Sequence, residues 1–186
     1  MATTTSDRVF VWVWLPGGNE PVAAGVLENR DGTGDLSFRY GDRYAERSDA
    51  VSLFEPELPL EAGRWFGATA NLGLPGCLRD ASPDSWGRRV IINRLLGGTA
   101  DDTDTEVLSE GTYLLESDSN RLGAVDFQPS ATEYVPRDEQ ASLVELQEAA
   151  ELVQRGVPLP DALRRALIAG TAIGGARPKA LLREGA

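Results

Sequence analysis

The sequence predicts an α+β fold: a mainly antiparallel β unit at the amino end, closed by a helix, with helices dominating the remainder. Three observations predict it. The run Arg8-Val9-Phe10-Val11-Trp12-Val13-Trp14-Leu15 is dense in β-branched and aromatic residues, which fit a pleated, half-buried backbone. Short apolar segments follow, separated by glycine, proline and aspartate turn signals at the spacing of a meander. From Ser82 onward the apolar residues return at helical rather than strand spacing.

The first strand is stopped by Pro16-Gly17-Gly18, which favours a turn. Residues 21–27 form the next apolar stretch and end before Asp31-Gly32-Thr33-Gly34; Leu36-Ser37-Phe38-Arg39-Tyr40 then alternates as a half-buried strand should. Two shorter strand segments are expected at 51–54 and 65–68, on either side of the proline-bearing loop Glu55-Pro56-Glu57-Leu58-Pro59. A helix is expected over 82–96, with Ser82 as its cap, Pro83 at the first helical position and Asp84 near the positive end of the dipole. Trp86, Val90, Ile91 and Leu95 make its apolar stripe, and Gly97-Gly98 can take the left-handed conformation that ends it.

The acidic, threonine-rich stretch 99–105 has the composition of a solvated loop or helix start. Beyond it, Tyr113-Leu114-Leu115 and Ala124-Val125-Asp126-Phe127 flank Ser117-Asp118-Ser119-Asn120-Arg121, a pattern for two short strands joined by a turn, with a helix as the alternative at the first. Ser142-Leu143-Val144-Glu145 matches a capping box. Leu143, Leu146, Ala150 and Val153 form a stripe of the helix it opens, which Gly156 and Pro158 end. A second helix is expected from Pro160 to about Ala169, with Leu163, Ala166 and Leu167 inward.

Composition narrows the function. The chain has 186 residues, enough for one ordinary domain or two small ones, and its 41% hydrophobic and 25% charged residues are those of a folded protein. No apolar run approaches the roughly 20 residues that span a bilayer, and the polar start lacks the pattern of a signal peptide. A cytoplasmic location and no membrane partner are therefore expected. Cys77 is the one cysteine and there is no histidine, which excludes an internal disulfide, a Cys/His zinc site and any histidine-based triad in this sequence. The net charge of −11 opposes direct contact with nucleic-acid phosphates. Of the eighteen basic residues only Lys179 is lysine; a GC-rich coding bias accounts for that, and it leaves one candidate for any role that needs an ammonium group.

The segment with the most chemical content is Gly170-Thr171-Ala172-Ile173-Gly174-Gly175-Ala176-Arg177-Pro178-Lys179-Ala180-Leu181-Leu182. Paired glycines between a helix and an apolar run permit consecutive amides to point at a phosphate, with Arg177 and Lys179 adding charge. The same residues also suit a plain β-turn, and no Gly-Lys-Ser/Thr follows at the spacing of a Walker A loop.

The run Ile173-Gly174-Gly175-Ala176-Arg177-Pro178-Lys179-Ala180 resembles the glycine-rich opening of the kinase domain in HipA-like serine/threonine kinases, the toxin halves of bacterial toxin–antitoxin pairs. Two upstream segments agree in order. Leu78-Arg79-Asp80-Ala81-Ser82-Pro83-Asp84-Ser85-Trp86-Gly87-Arg88-Arg89-Val90 is similar to the Pro-Asp-x-Trp-Gly-Arg helix start of one branch of that family. Arg121-Leu122-Gly123-Ala124-Val125-Asp126-Phe127 resembles its Arg-x-Gly-Ala-x-x-Phe strand. Neither Trp86, expected as a core anchor, nor Gly123, expected as a packing or turn glycine, needs a chemical role.

The resemblance implies a division into residues 1–105, a HipA-like amino-terminal β-rich subdomain, and 106–186, the start of a kinase lobe with a strand pair, two helices and the glycine-rich segment. It implies that Gly174, Gly175, Ala176, Arg177 and Lys179 contribute to an ATP site. The nucleotide-binding lysine, catalytic aspartate and magnesium ligands of such kinases are expected downstream of Ala186, in a longer parent. ATP and Mg²⁺ would then be cofactors of that parent, and this chain alone is expected to bind neither tightly and to be inactive, with no catalytic or metal-ligating residue of its own. The parent would transfer the ATP γ-phosphate to a hydroxyl on a protein of the translation machinery. The implied partners are that substrate and a HipB-like antitoxin, through which DNA is reached only indirectly. The autophosphorylated serine of much of the family is matched by Ala172, with Thr171 one residue upstream, which puts that control in question. The competing reading is a free-standing interaction module that binds an antitoxin or a separately encoded kinase and does no chemistry.

Overall fold

The computed structural model describes residues 8–96, 106–121, 123–137 and 143–155, together with 157, 160 and 163. These residues belong to two compact units. The first is drawn from 1–82, 109–115 and 123–135, and the second from 83–108, 116–122 and 136–186. The α+β expectation holds: one five-stranded antiparallel sheet is accompanied by helices.

In the first unit, β1 (Arg8–Val13), β2 (Val22–Glu28), β3 (Ser37–Tyr40) and β4 (Trp65–Phe66) form the expected meander. Helix α1 (Asp42–Ala45) is a single turn after β3. The fifth strand, β5 (Val125–Gln128), adds to the free side of β1, with Val11 opposite Phe127 and Trp12 opposite Asp126, giving the order β4-β3-β2-β1-β5. Alternation along the strands sends Val9, Val11, Val13, Leu27, Phe38, Tyr40, Phe66 and Phe127 into one core. A Cβ on Gly25 would lie 2.3 Å from the Arg39 carbonyl oxygen and 2.7 Å from the Phe38 ring, so β2 and β3 approach at a point that only glycine permits.

Aromatic residues extend this core toward the loop after α1. Phe38 meets Tyr40 edge-on and Tyr40 stacks on Tyr44, with centroids 4.8 and 5.8 Å apart. Each tyrosine pins the following chain: Tyr40 Oη donates to the Leu58 carbonyl at 2.6 Å and accepts the Leu53 N–H at 2.8 Å, while Tyr44 Oη donates to the Val51 carbonyl at 2.8 Å. Burial pushes the Tyr40 hydroxyl up to about 12, so it remains a donor at any ordinary pH.

Several expectations are corrected here. Residues 51–54 are not a strand: only Phe54 makes an isolated bridge, to Leu58, because a tight turn with Leu58 N–H on Phe54 O at 2.7 Å folds the loop onto itself. The strand expected at 65–68 is two residues long. Tyr113-Leu114-Leu115 takes the helical alternative, in α4 (Glu110–Glu116). Its start is fixed by Ser109, whose Oγ accepts the Thr112 N–H at 3.1 Å, a serine cap that outweighs the strand character of three apolar residues. There is accordingly no strand pair at 113–127; β5 pairs with β1. Gly123 has φ +97°, which makes it a turn glycine leading into β5.

In the second unit, α3 (Ser85–Leu96) is the expected helix, but its cap is Asp84 rather than Ser82: Asp84 Oδ1 accepts the Gly87 N–H at 2.8 Å. Pro83 therefore precedes the helix, and its carbonyl accepts from Nε of the buried Arg88 at 3.2 Å. Trp86, Val90, Ile91 and Ile92 are buried, as a core anchor and stripe should be, whereas Leu95 is exposed. The turn after α4 is held by Arg137, which donates Nε–H to the Ser117 carbonyl at 2.8 Å and its backbone N–H to Ser119 Oγ at 2.9 Å, while its carbonyl accepts the Ser119 N–H at 3.0 Å. Helix α5 (Leu143–Gln154) begins where the capping box places it. Ser142, the stripe side chains of α5, Gly156, Pro158, the stretch 97–105 and most of the helix expected from Pro160 lie outside the described residues; Leu163 is buried and donates its N–H to Pro160 O. No helix among the described residues is long and apolar enough to cross a membrane.

Candidate interaction groove

Gly174, Gly175, Ala176, Arg177 and Lys179, the residues expected at a phosphate, lie outside the described residues, as do Thr171 and Ala172. Among the described residues no group of three or more cysteine, aspartate or glutamate side chains is placed to hold a metal ion.

The first unit carries a groove of about 590 Å³ between the loop after α1 and the single-turn helix α2 (Gly76–Arg79). Leu53, Phe54, Pro56 and Leu72 line it with apolar surface, and Glu57, Cys77 and Asp80 form its polar part. The wall 53–58 stands where it does because Tyr40 holds both Leu53 and Leu58 from below, while Tyr44 holds Val51 just before them. With those residues fixed, the 54–58 turn projects Phe54, which is 49% exposed. Opposite, Leu74 and Leu78 are fully buried and seat α2 in the core.

Glu57 ties the two walls together. Its Oε1 accepts the Gly76 N–H at 2.6 Å and the Thr69 hydroxyl, and its Oε2 accepts the Cys77 N–H at 2.9 Å. Helix α2 starts at Pro75, which has no side-chain oxygen to offer, so its first donors are satisfied by Glu57 from nineteen and twenty residues upstream, with Thr69 Oγ1 also accepting the Gly76 N–H at 2.9 Å. Partial burial alone would raise the Glu57 carboxyl, but the bonds from Thr69, Cys77 and Gly76 outweigh it and hold the group below its ordinary 4.5.

The neighbouring thiol moves the other way. Burial, then the hydrogen bond to Glu57 and its charge, push Cys77 up to about 12, so it stays a thiol and not a nucleophile. Both Glu57 oxygens are engaged and its proton affinity is lowered, which unsuits it to general-base work. What the arrangement offers is apolar contact: Phe54 and Leu72, with Val51 nearby in sequence, are exposed on a frame locked from beneath. The only sequence signal for it was an unalternated phenylalanine beside the 55–59 proline loop, and nothing local connects that loop to Gly76.

A family model described as the HipA N-terminal domain matches residues 13–112, just over half of the chain. The matched span holds both walls of the groove and the Asp84-capped start of α3; the segments 121–127 and 173–180 fall beyond it. No curated protein matches the sequence.

Proposed function

The chain belongs to the HipA N-terminal domain family, and from that premise we propose that it is the amino-terminal part of a HipA-like serine/threonine protein kinase and the part that holds a partner protein. The observation that carries this reading is the family match across 13–112, a span whose groove is lined mainly by apolar side chains and whose Glu57 and Cys77 are unsuited to act as base or nucleophile. A mainly apolar groove suits the binding of side chains better than the transfer of phosphoryl groups. The three motifs in family order support the kinase parentage. In the whole enzyme ATP and Mg²⁺ would supply the transferred phosphoryl group and neutralise its charge. This chain's share would be the amides of Gly174, Gly175 and Ala176 and the positive charges of Arg177 and Lys179 toward the phosphates. The partner class is a HipB-like antitoxin, with a translation-machinery protein as the phosphorylated substrate and DNA contacted only through the antitoxin.

The test is phosphoryl transfer from radiolabelled ATP by this chain, and by this chain expressed with the sequence encoded directly after Ala186. Transfer is expected only from the extended protein. Transfer by the chain alone would refute the reading. An extended frame without kinase activity, together with copurification of a separately encoded kinase, would replace it with the free-standing module.

A further inference from the structure

The sheet carries a second, differently charged feature on the face away from the core. Arg39 on β3 stands opposite Trp65 on β4, and two guanidinium groups meet that indole: Arg39 Cζ lies 5.4 Å and Arg30 Cζ 4.6 Å from the ring centroid. Arg64, over the Phe66 ring, is by contrast already matched by Glu61 at 2.8 Å. Arg30 and Arg39 have no such match. Among the described residues neither makes an ion pair or a side-chain hydrogen bond, and Arg39 Nε is enclosed without an acceptor.

In this chain that is unexpected, since twenty-nine acidic residues are available for eighteen basic ones. The acid next to Arg30 in sequence, Asp31, has its Oδ1 engaged by the Thr33 amide and hydroxyl. The other outward carboxylate nearby, Glu28, is paired with Arg8 at 2.7 Å. Stacking on tryptophan occupies the flat face of a guanidinium and leaves its in-plane N–H groups unused. Those groups match the two oxygens of a carboxylate or phosphate. The stack thus holds two guanidinium groups in place without an ion pair to either, although the exposed Asp31, whose carboxyl is lowered first by its bonds from Thr33, also feels the charge of Arg30.

Between the sources of such an anion, the net charge of −11 repels an extended polyanion such as nucleic acid far more than a few carboxylates. The site also lies at the edge strand of the sheet, a position open to an extended segment of another chain. We infer that the Trp65 edge is a binding site for a short acidic peptide segment, whose carboxylates are taken by Arg30 and Arg39. This site is separate from the groove and does not depend on the kinase reading.

The test uses the full chain, isotopically labelled, titrated at about 0.1 M salt with acetyl-tetraglutamate amide, followed by the indole N–H signal of Trp65 and the Nε–H signal of Arg39. Saturable shifts at both signals are expected with tetraglutamate, and none with the uncharged tetraglutamine analogue. The R30Q/R39Q double variant should weaken binding about tenfold or more, the loss expected from removing charged hydrogen bonds. R30Q alone removes one exposed side chain outside the core and should weaken binding in the same direction, which keeps the test open if the double variant misfolds. R47Q, at an arginine already paired with Asp49, should bind as the parent does. The proposal is overturned if the two signals do not shift, if R30Q binds as tightly as the parent, or if a short oligothymidylate displaces the peptide and binds more tightly, which would make the site one for nucleic acid.

Discussion

Helices α2 and α3 both begin on a carboxylate, and the two carboxylates come from opposite ends of the scale of sequence distance. Asp84 caps α3 from three residues before the amide it binds. Glu57 reaches α2 from nineteen and twenty residues away. The first arrangement is local punctuation: it sets where a helix starts and concerns little else. The second is a tertiary strut, because the same side chain that satisfies the donors of α2 also fixes the loop that forms the opposite wall of the groove. Removing each should therefore fail differently.

The largest effect is expected from Glu57→Ala. The Cys77 N–H and the Thr69 hydroxyl lose their acceptor together, and the Gly76 N–H is left with Thr69 Oγ1 alone. Hydrogen bonds to charged groups contribute about 1.5–3 kcal/mol each, and solvent access at this partly exposed position reduces that, so a net loss of about 2 kcal/mol is expected. A urea titration followed by circular dichroism would measure it. The pH dependence carries the same signature. The folded carboxyl is held below 4.5, so its contribution is complete above about pH 4.5 and declines as pH falls through the lower folded value. Glu57→Gln should flatten that part of the acid limb; an unchanged limb would show that the strut adds nothing.

Asp84→Ala should cost less, about 1 kcal/mol, the usual loss for a helix cap. Its damage should also be confined. Amide hydrogen exchange should quicken at Gly87 and the first turn of α3 while the amides of Gly76 and Cys77 stay protected. Equal loss of protection at both helix starts would erase the distinction between a local cap and a strut.

The same distinction explains what could be read in the sequence. Strands β1 to β3 and helix α3 were legible because each is announced within its own segment by alternation, helical spacing or turn residues. The cap of α3 was misplaced by two residues because Ser82-Pro83-Asp84-Ser85 offers three capping side chains in four positions, and only the hydrogen bond selects Asp84. Tyr113-Leu114-Leu115 was ambiguous because so short an apolar run has no period; Ser109, four residues earlier, decided it. The pairing of β5 with β1 across more than a hundred residues, the tyrosine anchors under residues 51–58 and the Glu57 strut have no local signal. The groove was therefore invisible in advance, since it is built from the last two of these contacts. The glycine-rich residues Gly174 to Lys179 stood out for the opposite reason: their signal is wholly local, and they lie outside the residues in which it could be compared with geometry.

The smallest and most diagnostic effect concerns Cys77, which shares the strut with α2. Its thiol is pushed up to about 12 first by burial, then by its hydrogen bond to Glu57 and by the Glu57 charge. Glu57→Gln removes the charge and leaves burial. Thiolate content rises tenfold for each unit by which a thiol pKa falls toward the working pH. A full return to the ordinary 9 would raise the thiolate content at mildly alkaline pH about a thousandfold, and alkylation by iodoacetamide by less, about thirty- to sixtyfold, because a less basic thiolate is a weaker nucleophile. With burial intact the variant should fall far short of this, gaining only several-fold. A gain near the full amount would mean that the groove had opened and water had reached the sulfur, so that Glu57 holds the walls together as well as biasing a charge. No gain at all would mean that burial alone silences the thiol, and that Glu57 matters to α2 but not to the chemistry of its neighbour.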